Sequence, residues 1–509
     1  MRRFLAIQFV SIAVLAILAV ATSVFADDAP QFVLMPDADS PYVTFRIWIR
    51  AGSANDPAGK EGLAHLTGSL IGRGGTRSHP YETILQLLFP MAAGYSVAVD
   101  REMTVLEGTV HRDHLEAYYG LIRDALTAPA FDAGDFERLR TDQANYLEND
   151  LRYGADEELG KAVLHWAAFA GTSYAHPEAG LVQSVKALTL DDVKAFYETW
   201  YRRGNFVVGL AGGFGDDLVA RLTADLAALP AGAAPAFVPP APTKAARGLR
   251  VFIVEKDTRA TAISFGHPID VTRADDDFYR LMIPNSWLGE HRTSSSHLYQ
   301  VMREARGLNY GDYSYIEWFA GSEWNEIPPP NHARHRQMFE VWIRPVMNAN
   351  RHFALRQAMR ELAMLVQDGM TPETLKLTQN YLLNFSLHYA TTESARLGYA
   401  VDDRFYGLPE SHLARIQKRV KTATLEEINA ALRRNIDVGN LDVVFITNDA
   451  AGLKQALVDN VASPIHYDAP TPESILAEDR IIQAYPLRIA AEAIRVIPVG
   501  EVFESPVAP

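Results

Sequence analysis

Two stretches of this chain follow one plan. "TLDDVKAFYETWYRRGNFVVGLAGGFGDDLVARL" begins at Thr189 and "TLEEINAALRRNIDVGNLDVVFITNDAAGLKQAL" begins at Thr424. Thr-Leu-acid-acid recurs at an offset of 235 residues, and the Gly-Asn before each apolar run (Gly204-Asn205, Gly439-Asn440) recurs at the same offset. Each copy reads as an N-capped helix, a turn, a buried strand and another helix. Both signals at one offset, in one order of elements, mark an internal duplication. The chain must therefore be built as two similar units with a seam between them. "LPAGAAPAFVPPAPTKAARG", Leu229 to Gly248, is that seam, and its Ala and Pro make it an extended, semi-rigid connector. The expected organisation is a leader over 1–26, domains over 27–228 and 249–462, a linker over 229–248, and a tail over 463–509. The tail is Pro-rich and weakly patterned, and either wraps a domain or stays mobile.

Within the first unit, alternating or continuous apolar runs predict strands at Tyr42 to Gly52, Gly94 to Asp100, Glu102 to Val110 and Asn205 to Gly212. Helices are expected from Glu61, His114, Ala133, Glu157 and Thr189. The second unit gives strands at "LRVFIVEK", "ATAISFGHPI", "YGDYSYIEWF", "MFEVWIRPV" and "LDVVFITN", with long helices between Asn350 and Arg419. Hairpin-like strands with helices on one face make an α+β fold of two homologous domains, expected to enclose a chamber.

The first residues address the compartment. Arg2 and Arg3 precede an apolar run from Phe4 to about Val20, and "VFA" (Val24 to Ala26) has signal-peptidase spacing. Cleavage after Ala26 is expected, leaving no stable membrane anchor and a periplasmic or secreted protein. There is no cysteine, so neither a lipoprotein anchor nor a disulfide framework is available. Acid exceeds base by 62 to 48, and losing Arg2 and Arg3 takes the net charge from −14 to −16. That balance argues against nucleic acid as a partner.

The chemistry-bearing stretch is "EGLAHLTGSLIGRGGT", Glu61 to Thr76. An inverted zinc motif, His-x-x-Glu-His, places two histidines on one helical face with a glutamate aimed at the attacking water. Together with the duplication and the order of elements, this stretch resembles the pitrilysin/insulinase family, which includes the mitochondrial processing peptidases. That family carries Gly-x-Ala-His-x-x-Glu-His and then Gly-Thr. The resemblance matches His65 to the first histidine and Gly75-Thr76 to the later turn, but sets Gly68 at the glutamate and Ser69 at the second histidine. It implies a metal-binding glutamate on a second helix. Glu148 is the best match, 79 residues after Ser69 and eight before Asp156, with Asp150 as a fallback. His65 and Glu148 fall short of the three protein ligands usual for catalytic zinc. Glu61 and His79 are the candidates for a displaced ligand, and neither restores a base at position 68.

In the second unit, "HLYQVMREARGLNYGDYSYIEWF" holds Arg303 and Tyr310 seven apart, with Gly307-Leu308 between. The family has an Arg and a Tyr at this spacing in its non-catalytic half, where they hold the substrate carbonyl. A guanidinium and a phenol are both strong donors for developing negative charge. Arg303 and Tyr310 are thus the expected substrate contacts. "GEHRTSSSH", with His291 and His297, reads as a polar turn and helix cap, and "SYAHPEAG" as a structural turn.

The resemblance implies a non-catalytic member, with no cofactor expected, acting on peptide or unfolded protein segments beside a catalytic subunit of the same family. Two alternatives stay open. One is a peptide-binding or scaffold protein without hydrolysis, and the other an active zinc metallopeptidase with displaced ligands.

Overall fold

The computed structural model describes residues 29–232, 234–241, 247–321 and 324–505. The expected leader, 1–26, lies outside them. The first half forms a five-stranded sheet in the order β1-β5-β2-β4-β3. Its strands are β1 (Gln31–Pro36), β2 (Tyr42–Ile49), β3 (Gly94–Val99), β4 (Thr104–His111) and β5 (Phe206–Gly212). The second half forms a six-stranded sheet, β11-β6-β10-β7-β9-β8. Here β6 is Arg250–Glu255, β7 Ala260–Ile269, β8 Asp312–Tyr315, β9 Gln337–Met347, β10 Asp442–Thr447 and β11 Ile494–Pro498. With β11 set aside, the two orders are identical strand for strand. The senses agree as well: β1·β5 and β6·β10 are parallel, and the remaining pairs antiparallel. The duplication read from the sequence is therefore a duplication of topology.

The recurring Thr-Leu-acid-acid caps a helix in both copies. Thr189 accepts from the Asp192 N–H and Thr424 from that of Glu427, and in each the acid reaches back to the threonine N–H.

The apolar runs "FVVGLAG" (β5) and "DVVFIT" (β10) are buried at every residue. Continuous rather than alternating burial means that both sheet faces are covered. One face is covered by helices of the strand's own half. The other is covered by a helix from the opposite half. Asp156–Ala168 of the first half packs Leu159 and Val163 against Val254, Val444 and Ile446 of the second sheet. In return, Glu393–Phe405 of the second half lays Val401 against Trp48, Val105 and Val207 of the first sheet. Gly209 shows how close this approach is, since a Cβ there would stand 3.1 Å from Leu397 Cδ1 and 3.2 Å from Val401 Cγ2. Polar contacts tie down both crossings. Lys256 pairs with Asp156 at 2.5 Å, and Arg46 donates to the Ser394 carbonyl at 3.0 Å.

The tail is ordered as far as it is described. The helix Glu473–Ile482 is held on the second half by Arg306, which bonds Asp479 at 2.8 Å and Glu478 at 2.7 Å. Strand β11 then extends the second sheet parallel to β6. Beyond it the chain crosses to the first half, where the Phe503 carbonyl accepts from the Val182 N–H at 2.9 Å and the Val502 carbonyl from Arg152 at 2.8 Å.

Candidate functional site

The motif lies on the helix Leu63–Arg73, which starts from Gly62 in the left-handed region (φ 102°) and packs on the edge strand β3. Two glycines one turn apart permit that packing. A Cβ at Gly68 would stand 2.5 Å from Val99 Cγ2, and one at Gly72 3.1 Å from Val97 Cβ. The position where the family keeps its base is thus filled by the strand beneath. His65, one turn earlier, is half-buried, and its Nδ1 is enclosed without a hydrogen-bond partner. Burial pushes the imidazole pKa down, against the opposing charge of Glu178. The ring is therefore neutral at pH 7. Ser69 is half-buried.

The other proposed ligands are engaged elsewhere. Glu148 lies on a π-helical stretch, Tyr146–Gly154, and pairs with Lys186 at 2.5 Å. Asp150, on the same stretch, is exposed. Glu61 is not on the motif helix. It precedes Gly62, and its carboxylate accepts from Ser184 and from the Gly59 N–H. His79 follows the far end of the helix, about 12 Å along the axis from His65 at 1.5 Å per residue. It forms a turn with Thr76, donating its N–H to Thr76 Oγ1 at 3.1 Å. Among the described residues no three His, Cys, Asp or Glu side chains converge as a metal set. The donors present at this helix do not fit a catalytic zinc, because one imidazole remains and the nearest expected carboxylate is matched by a lysine.

Beside His65, at the junction of the halves, lies a buried charged cluster that local sequence patterns did not disclose. The turn before β4 supplies Asp100, Arg101 and Glu102, the segment after the first crossing helix supplies Tyr174 and Glu178, and the approach to β9 supplies His332, Arg334 and His335. Arg334 grips Asp100 with two bonds, 2.7 and 2.9 Å, and Glu178 with a third at 2.9 Å. His332 meets Asp100 at 2.6 Å and His335 meets Glu102 at 2.5 Å. Arg101 lies 3.4 Å from Glu178. Burial alone would raise the Asp100 carboxyl, but Arg334 and His332 hold it far below the usual carboxylate range. Arg101 stands three residues before β4 and Arg334 three before β9, so the duplicated fold aims two equivalent arginines at one glutamate.

Arg303 and Tyr310 are neighbours in space. Arg303 lies in the last turn of another π-helical stretch, Tyr299–Glu304, and donates to the Tyr299 hydroxyl and, at 3.3 Å, to the Tyr310 carbonyl. Its guanidinium lies 4.7 Å from the Tyr299 ring and 5.7 Å from that of Tyr310. The Tyr310 side chain is 75 % exposed. The histidines of "GEHRTSSSH" part company: His291 bonds Tyr315 at 2.5 Å, while His297 stacks on Trp287 and meets Glu361 at 2.7 Å.

The model of the insulinase family (peptidase family M16) matches residues 32–180, and the model of the M16 peptidase inactive domain matches residues 187–382. An uncharacterised zinc protease of Streptomyces coelicolor is 27% identical over 285 residues, 54% of this chain and 60% of its own length. The non-peptidase homolog YmxG of Helicobacter pylori is 22% identical over 420 residues, 78% of this chain and 87% of its own. Among solved structures, an M16 peptidase inactive domain from Pseudomonas fluorescens superposes with a TM-score of 0.72 at 22% identity, covering 83% of this chain and 97% of that one.

Proposed function

We propose, from the premise that this chain belongs to the insulinase family of peptidases, that it is a non-catalytic member which holds peptide for a partner of the same family that supplies the hydrolytic centre. The observation that carries this reading is the fate of the motif helix. Gly68 is pressed onto Val99, so no side chain there can accept a proton from water, while Arg303 and Tyr310 stand together with the phenol turned to solvent. The name of the YmxG relative, a non-peptidase homolog, agrees with loss of catalysis.

The crossing helices and the charged cluster meet at the junction of the two halves. A peptide chamber would then lie between this chain and its partner, not between its own halves. Strand β3 is an edge strand, and an extended peptide can pair with such an edge through backbone hydrogen bonds. The leader-like start supports a periplasmic or secreted setting.

The test is reconstitution with the family member encoded in the same organism, followed by peptide turnover. Arg303→Ala should lower turnover by ~10²–10³, the usual cost of removing one oxyanion donor, and leave the isolated chain unchanged. A fully active Arg303→Ala complex would remove the main support for a substrate-contacting subunit. Peptide binding with no hydrolysis in any complex would favour the scaffold reading instead.

A further inference from the structure

Among the described residues, the second half contains a half-buried carboxylate that pairs with no lysine or arginine. Glu290 follows the helix Asp276–Gly289 and lines two partly open cavities of ≈60 and ≈40 Å³. Burial pushes its carboxyl pKa up against the opposing influence of the Ser286 hydroxyl and the His291 backbone N–H, and its charge is felt by Tyr381 in the smaller cavity and Tyr389 in the larger. Among the described residues no lysine or arginine lines either cavity. The other acid of the larger one, Glu317, is matched by Arg273 through bonds of 2.9 and 3.1 Å. The histidines His291 and His412 are neutral at pH 7, burial pushing the first down to about 4 and the second well below its ordinary value.

Two further polar atoms are enclosed without partners. Asn285 Oδ1 is at the larger cavity and Ser296 Oγ, on a residue only 2 % exposed, at the smaller. A half-buried ion without a counter-charge has lost part of its hydration, and an enclosed acceptor without a donor is costly as well. Both costs fall if the occupant is a cation bearing N–H groups. The walls agree, because Phe278, Tyr315, Phe319 and Tyr389 surround the larger cavity with ring faces and edges that suit an organic cation. A hard metal ion favours several carboxylates gathered on one point, and among the described residues no three His, Cys, Asp or Glu side chains converge here. A quaternary ammonium has no donor for Asn285, and the space admits roughly the volume of a few waters.

We infer that the Glu290 cavity binds a primary ammonium group, carried either by a small free amine or by the lysine side chain of a peptide. The experiment is calorimetric titration of the full chain with methylammonium chloride, against potassium chloride at equal ionic strength, together with thermal unfolding in both salts. Wild type should give saturable heat and a methylammonium-specific rise in Tm. Glu290→Gln, which keeps the shape and removes the charge, should fold and lose affinity at least tenfold. Tyr389→Leu should weaken binding with Glu290 intact. Equal shifts in the two salts, or methylammonium binding undiminished in Glu290→Gln, would overturn the site and leave a water-filled cavity. The source is decided by competition. Displacement of methylammonium by a lysine pentapeptide but not by its norleucine analogue assigns the site to peptide, and failure of both peptides assigns it to free amines.

Discussion

A glycine at position 68 lets the motif helix approach β3 until Val99 occupies the space that a longer side chain would need. The obstacle to a glutamate at this position is therefore steric, and placing the family's residues here should not build a zinc site. Gly68→Glu should cost ~1–3 kcal/mol for overpacking, before the burden of burying a carboxylate, and urea unfolding would measure it. Adding Ser69→His should leave zinc content after metal-free exchange at the wild-type level. Stoichiometric zinc in the double variant would show that β3 yields easily and that the steric account is wrong. The residue types of the motif were legible in the sequence, but the contact that seals it was not. Glu61 was misread for a related reason. Spacing placed it one turn before His65, whereas Gly62 begins the helix after it and Ser184 draws its carboxylate away. The junction cluster was out of reach altogether, since Arg334 and Asp100 meet across 234 residues and leave no local pattern.

Strands with clear periodicity were found where expected, and the capped helices after Thr189 and Thr424 follow their caps. Elements whose burial comes from distant chain escaped notice. Strand β1, QFVLMP, is only half-buried, and its short apolar run carries no alternation to mark it as a strand. The Pro-rich tail gave no periodic signal, because β11 is an edge strand defined by its pairing with β6. Yet within the described tail Val502 and Phe503 are completely buried against the first crossing helix, where Phe503 meets Trp166 edge-on. Removing residues 494–505 should cost ~3–6 kcal/mol from these two side chains alone, and uncover the β6 edge. Calorimetry and limited proteolysis would measure this. Unchanged melting and protection would mean that the strap is ornamental.

At the scale of the molecule, the halves are exchanged partners more than neighbours, since each sheet has one face that only the other half can cover. Residues 29–228 and 249–505 expressed apart should each be insoluble or molten, and the intact chain should melt in a single calorimetric transition. Two well-separated transitions, or a half that is soluble and folded alone, would contradict the interlock. The duplication announced two units, but it held no hint of the exchange. The same interlock sets a clock on biosynthesis. The first sheet has all its strands once Gly212 is made, yet the helix that covers its open face ends at Phe405. At ~5–20 residues per second the ribosome needs on the order of tens of seconds to supply it. Throughout that interval the nascent chain stays unfinished, available to a holdase or to a channel that threads only unfolded polypeptide.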